Sequence, residues 1–287
     1  MNLPKLPEKI SCREGKHVEG PTVVLLKQTH GDEAGGAKVV DLVMSRLKPI
    51  TRGRLYYGEG NPRASEKNIR FIDSDLNRSY GKSQPRGYEG QRAAELKPIL
   101  RSAYVLLDVH SFRKPAPPII CYPGNDFLRL EKLTTPLLIE TVIYGPGLWP
   151  LNGDHLYTDT FVCAQGGIGL TIESGYLDDM SAVDSIAKGI QRIVENLLGA
   201  RVHTVDETLD PAVKKYFHAY ENVIAAKKFA FTKEWANFES VPDGTVYATA
   251  EGKTYRTDRD AVILFPKAKD SIVEGNEVCI LLEKKMV

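Results

Sequence analysis

The chain has 287 residues, enough for one large domain or two unequal ones, with 42% apolar and 26% charged residues, as expected of a globular protein. Its net charge is +1 with both signs mixed along the chain, which argues against a polyanion-binding surface and so against nucleic acid as a partner. The start, MNLPKLPEKI, lacks the apolar core of a signal peptide, and no run of about 18 uncharged apolar residues occurs to span or anchor in a membrane.

In chain order, "TVVLL" (22–26) reads as a buried strand. Val39, Val40, Val43, Met44 and Leu47 then follow at helical spacing. "RLYYGEGNP" (54–62) is a second strand that stops at an Asn-Pro turn. Residues 87–100 are helical, with Pro98 expected to kink or end the helix. "AYVLLDVH" (103–110), "PPIICYP" (117–123) and "GIGLTIE" (167–173) are further strands, and residues 180–198 form an amphipathic helix. This alternation predicts an α/β layer with a largely parallel sheet. Near residue 205 the texture changes to short β-like runs punctuated by turns such as Pro242-Asp243-Gly244. The expected division is therefore an α/β domain over 1–205 and a small all-β domain over 206–287. Four scattered cysteines with no C-x-x-C pair suit reduced thiols in a cytoplasmic protein.

Three strands end in chemistry-bearing residues: the first leads to His30 and Glu33, "VLLDVH" ends in His110, and "GLTIE" ends in Glu173. Loops at the carboxyl ends of strands converge in open α/β sheets, so these groups can meet. Two histidines and a glutamate are a common ligand set of a catalytic zinc, and a second carboxylate can serve as proton acceptor. Blander readings stay open. H-x-x-E occurs by chance, His110 suits a satisfied core histidine, and Glu173 suits a helix cap or an Arg partner.

The motifs "THGDE" (29–33), "NPRASEKNIRFIDSDLNRSY" (61–80), "LLDVHS" (106–111) and "TIESG" (171–175) together resemble the succinylglutamate desuccinylase/aspartoacylase family, a branch of the zinc carboxypeptidase-like enzymes. "NFESVPDGTVYA" and "AVILFP" with "VEGNEVCILLEK" extend the resemblance into the C-terminal part. The resemblance implies a zinc-carboxypeptidase-like mixed sheet flanked by helices, followed by a small all-β domain. It implies one zinc per chain on His30, Glu33 and His110, and Glu173 as general base and then acid. It also implies Arg70 at the scissile carbonyl, and Asn77 with Arg78 on a substrate carboxylate. Asp73, Asp75 and Asp108 fall to orienting or structural roles, and His155, in a loop, is a candidate substrate contact.

Two departures bear on specificity. The family's arginine about ten residues before the catalytic glutamate is Cys163 here, and no tyrosine in "FPKAKDSIVEG" matches the one aspartoacylases use. Arg113 is the candidate replacement for the missing charge. The expected activity is deacylation of an N-acyl amino acid or related small amide. The alternatives are a carboxypeptidase-like peptidase using the same centre and a metal-binding protein without catalysis. The expected partner is a small molecule bearing a carboxylate, with homo-oligomers possible.

Overall fold

The computed structural model describes residues 6–82, 86–149, 156–200 and 213–285. The chain runs β1 (Ile10–Glu14), β2 (His17–Lys27), α1 (Ala34–Arg46), β3 (Arg52–Glu59), the short α2 (Pro62–Glu66) and a 3₁₀ turn at Leu76–Arg78. It continues through α3 (Tyr88–Arg101), β4 (Val105–Phe112), β5 (Ile119–Tyr122), α4 (Phe127–Thr134), β6 (Thr141–Tyr144), α5 (Thr158–Ala164), β7 (Ile168–Tyr176) and α6 (Val183–Leu198). After residue 212 the regular elements are strands, apart from a 3₁₀ turn at Lys269–Ser271: β8 (Lys215–Ile224), β9 (Ala230–Phe231), β10 (Glu239–Val241), β11 (Val246–Ala250), β12 (Lys253–Arg256), β13 (Ala261–Leu264) and β14 (Glu277–Lys285).

Eleven strands form one sheet in the order β1-β3-β2-β4-β7-β5-β6-β8-β14-β13-β10, and β12-β11-β9 form a second. Five pairings in the large sheet are parallel. The other five are antiparallel, so the sheet is mixed rather than largely parallel. The hydrogen-bonded ladder also passes from β6 to β8, so strands on either side of residue 205 share one sheet. The later strands additionally enclose an apolar cluster of their own around Trp235, Tyr247 and Ile263.

The central strands are covered on both faces, which is why they read as continuous apolar runs. On one face α1 and α6 set Val39, Val43, Ile186 and Ile190 against Val23, Leu25, Leu107 and Val109. On the other, α3 and α5 set Leu96, Leu100, Phe161 and Val162 against Val24, Leu26 and Leu106. Helix α3 continues through Pro98 to Arg101, contrary to the expected kink or stop. An interior proline costs ~3 kcal/mol, but each buried leucine contributes ~1.5–3 kcal/mol, and Leu96 and Leu100 bury on either side of it. Only three residues follow the proline, so little of the helix depends on the missing N–H.

The first turn of α1 sits directly on β4. A Cβ at Gly36 would lie 2.4 Å from the Val109 carbonyl oxygen, so only glycine permits that approach. This contact fixes Glu33, the residue before the helix, against the end of β4. All four cysteines are free. No helix among the described residues is long and apolar enough to cross a membrane.

Candidate active site

Strands β2, β4 and β7 are parallel neighbours, so their carboxyl ends share one edge of the sheet. His110 and Glu173 are register partners across β4 and β7. The period of two along β4 puts Asp108 on the same face as His110. The loop after β2 brings His30 and Glu33 to the same edge, and His30, Glu33 and His110 offer donor atoms all within 4.8 Å of one another.

Their arrangement is directional. His30 Nδ1 lies 2.7 Å from Glu33 Oε1, and His110 Nδ1 lies 2.7 Å from Glu33 Oε2. Behind the rings, His30 Nε2 is hydrogen-bonded with Asp75 Oδ1 at 3.0 Å, and His110 Nε2 lies 3.2 Å from Asp108 Oδ2, within ion-pair distance but without a hydrogen bond. Asp108 is itself fixed by the hydroxyls of Thr29 (2.8 Å) and Thr158 (2.6 Å). Two inward Nδ1 atoms, one carboxylate between them and an aspartate behind each ring form a donor set that fits a divalent metal ion. Burial opposes charge on Glu33, but His110 and His30 outweigh burial and hold its carboxyl well below the usual range. Asp75 behaves alike, with His30 and the guanidinium groups of Arg78 and Arg70 overcoming its burial.

Glu173 is different. Its Oε2 is buried and has no hydrogen-bond partner. Burial drives its pKa up to about 7; His110 and His30 pull it down, and Glu33 pushes it further up. It lines a cavity of about 310 Å³ together with His30, Glu33, His110, Arg70 and Arg78.

The segment 61–80 supplies the remaining polar groups, and Glu89 of α3 organises it. The fully buried Glu89 accepts from the backbone N–H groups of Ile72 (2.6 Å), Asp73 (2.9 Å) and Ser74 (3.2 Å), and from Asn61 Nδ2 (3.1 Å). Arg70 reaches Glu33 Oε1 at 3.4 Å and Asp75 Oδ2 at 3.2 Å. Asn77 is buried; its Oδ1 accepts from the Thr158 backbone N–H at 2.9 Å, which leaves its amide N–H groups as the available donors. The Arg78 guanidinium lies 3.7 Å from the Tyr157 ring centroid and, among the described residues, has no carboxylate partner within ion-pair distance. Asp73 accepts from the Tyr88 backbone N–H and stands away from the cavity.

Arg113 lines the cavity but is largely exposed and pairs with Asp32 at 3.2 Å. Cys163 does not line it. The thiol accepts from the Gly169 backbone N–H at 3.4 Å and packs against the α1/α6 core, so the position of the family arginine faces the interior of the fold here. His155 lies outside the described residues. Sequence reading missed Thr158, Glu89, Tyr157, Trp149, Phe265, Lys267 and Glu277, the last five of which line the cavity. Phe265 and Lys267 come from the very segment searched for a tyrosine. The Asp159 carboxyl lies behind Thr171, and burial raises its pKa to about 7.

The model of the family described as "Succinylglutamate desuccinylase/Aspartoacylase catalytic domain" matches residues 19–116. Among curated proteins, the succinylglutamate desuccinylase of Pseudoalteromonas atlantica is 22% identical over 281 residues, covering 87% of this chain and 78% of the relative. That of Shewanella woodyi is 24% identical over 309 residues, covering 93% and 84%. Among solved structures, succinylglutamate desuccinylase from Vibrio parahaemolyticus superposes with a TM-score of 0.75 at 16% identity, covering 96% of this chain and 86% of that one. An ectoine utilization protein from Ruegeria pomeroyi gives 0.63 at 18% identity, covering 95% and 88%. Family model and curated relatives thus carry the name of the succinylglutamate desuccinylase/aspartoacylase family, the one that the sequence motifs resemble, and the solved structures share this chain's fold.

Proposed function

We propose that this protein is a zinc-dependent amidohydrolase that deacylates an N-acyl amino acid or a related small amide. The observation that carries this reading is the buried, unpartnered Oε2 of Glu173, in one cavity with the inward-facing donor atoms of His30, Glu33 and His110. Those three residues would hold the zinc, which when bound polarises the amide carbonyl and lowers the pKa of water. Asp75 keeps the His30 ring in the orientation that presents Nδ1, and the Asp108 carboxylate stands behind the His110 ring at 3.2 Å.

Glu173 receives the proton of the attacking water and delivers it to the leaving nitrogen. A carboxyl raised to about 7 can both take and return a proton near neutrality. Arg70 faces the carbonyl oxygen, where negative charge develops. Arg78, braced on Tyr157, and the amide N–H groups of Asn77 hold the substrate's carboxylate. The metal-binding reading without catalysis leaves the unpartnered Oε2 of Glu173 without a purpose in the cavity.

The test is release of free amine from a panel of N-acyl amino acids, compared with Glu173→Gln. The substitution keeps size and removes the proton acceptor. The expected result is unchanged folding and zinc content, with kcat lower by roughly a hundredfold to ten-thousandfold. A variant with bound zinc and near-parental kcat would refute the assignment.

A further inference from the structure

Beside the cavity lies a groove of about 1000 Å³. One wall is the end of β4 and the segment after it, from Phe112 to Ala116; the other is formed by residues from 230–237 and 265–272. Phe112, Arg113, Phe265 and Lys267 line both spaces, so groove and cavity abut along this row. Phe112 and Phe265 meet edge to face with centroids 6.1 Å apart. Phe265 has a φ of +54°, a backbone conformation unusual for a bulky residue, and its N–H donates to Asn237 Oδ1 at 2.8 Å. The chain is thus held in an unfavourable conformation where its ring closes against Phe112.

The lining of the groove combines aromatic and basic side chains. Phe231 and Trp235 continue the apolar surface. Five basic side chains line it against the two acidic ones, Glu234 and Asp270. Arg113 is paired with Asp32 and Lys233 with Glu239. Lys114, Lys267 and Lys269 have no ion-pair partner among the described residues. Exposed lysines alone are ordinary surface. Lys267 stands in the row shared with the cavity, whereas Lys114 and Lys269 line the groove alone, so two unpaired cations share the groove with aromatic rings that abut the cavity.

We propose that the groove binds the acyl side of the substrate, and that this acyl group is an extended, apolar arm ending in a carboxylate. The proposal rests on the amidohydrolase reading above. Arg78 and Asn77 line the cavity and do not reach the groove, so an amino-acid carboxylate held there leaves the acyl chain directed toward Phe112 and Phe265. The arm lies along the aromatic wall, and its terminal carboxylate is met by Lys114 and Lys269. Hydrolysis adds one water across the amide and releases an amino acid and a dicarboxylic acid.

The test uses the zinc-loaded full chain and N-acetyl, N-succinyl, N-suberoyl and N-octanoyl derivatives of whichever amino acid best supports hydrolysis as its acetyl compound. The expected kcat/KM for the suberoyl compound exceeds that for the succinyl and octanoyl compounds by at least about tenfold. Lys114→Glu and Lys269→Glu, which lie outside the catalytic cavity, should each lower the suberoyl value by about fivefold or more and leave the acetyl value within about twofold. Hydrolysis of the acetyl compound with no gain from the longer anionic arm, or a suberoyl value indifferent to both charge reversals, overturns this proposal and leaves the amidohydrolase reading standing. No amine release from any derivative overturns both.

Discussion

Glu89→Gln tests whether the polar side of the site is held together from α3. Each Glu89 oxygen accepts two hydrogen bonds: Oε1 from Ile72 N–H and Asn61 Nδ2, and Oε2 from Asp73 and Ser74 N–H. An amide replaces one oxygen with an NH₂ group that faces two donors. The side chain is fully buried, so it has no solvent to turn toward. A hydrogen bond to a charged acceptor contributes ~1.5–3 kcal/mol, so two lost bonds cost about 3–6 kcal/mol. At about 2–4 °C per kcal/mol for a chain of this size, Tm should fall by roughly 6–24 °C. The held segment carries Arg70, Asp75, Asn77 and Arg78, and a shift of about 1 Å there can cost about a hundredfold in rate. Thermal denaturation, with kcat/KM measured well below the variant's Tm, is the assay. A variant melting within about 2 °C of the parent, with kcat/KM unchanged, would refute the reasoning.

His30→Ala removes one of the three proposed metal donors, so elemental analysis of protein purified without added metal should find the parent near one zinc per chain and the variant far below it. Full zinc occupancy in the variant would remove His30 from the ligand set. Arg78→Lys should raise KM at least about tenfold with a smaller change in kcat, because lysine cannot reproduce the planar two-pronged contact with a carboxylate. An unchanged KM on the true substrate would mean no carboxylate binds there. Folding raises the Asp159 pKa from 3.8 to about 7, so the folded state binds more protons between those values; the stability linked to this group is fully present below about pH 4 and is lost as pH rises through 7. Asp159→Asn should therefore gain stability relative to the parent as pH rises from about 4 to about 7, followed by urea unfolding at several pH values, and a pH-independent difference would contradict the shift.

What the sequence revealed and what it hid follow from the range of the interactions. Strands β2, β4 and β7 were legible because burial on both faces leaves a continuous apolar run that stops where the polar site begins. The candidate ligands and base were legible for the same reason, since each closes such a run or follows it by a few residues. Pro98 misled because local propensity was overruled by leucines packed from outside the helix. Glu89 was hidden because nothing near it in sequence marks it; its partners lie 15 to 28 residues away. Phe265, Lys267 and Glu277 were hidden for a related reason. They reach the cavity only because β8, β14 and β13 extend the same sheet, a topology that no local pattern encodes. Cys163 marked a departure from the family pattern, but only the placement of α5 shows that its thiol turns away from the cavity.

Residue type does not separate the carboxylates of the site; their surroundings do. Glu33 lies between two imidazole nitrogens. Asp75 is met by His30, the Asn77 N–H and Arg70. Asp108 accepts two threonine hydroxyls and faces His110. Every such contact favours the charged form, and in all three residues the contacts overcome burial and lower the pKa. Glu173 Oε2 has burial without a donor, and its pKa moves the other way. A carboxylate saturated with donors orients or ligates well and exchanges protons poorly; one left without donors does the reverse. A cation held by His30, Glu33 and His110 would pull the Glu173 pKa back down while supplying the acidic water that a weaker base can deprotonate. The division of labour thus needs no difference in chemistry between glutamate and glutamate, only the presence of hydrogen-bond donors around one and their absence around the other.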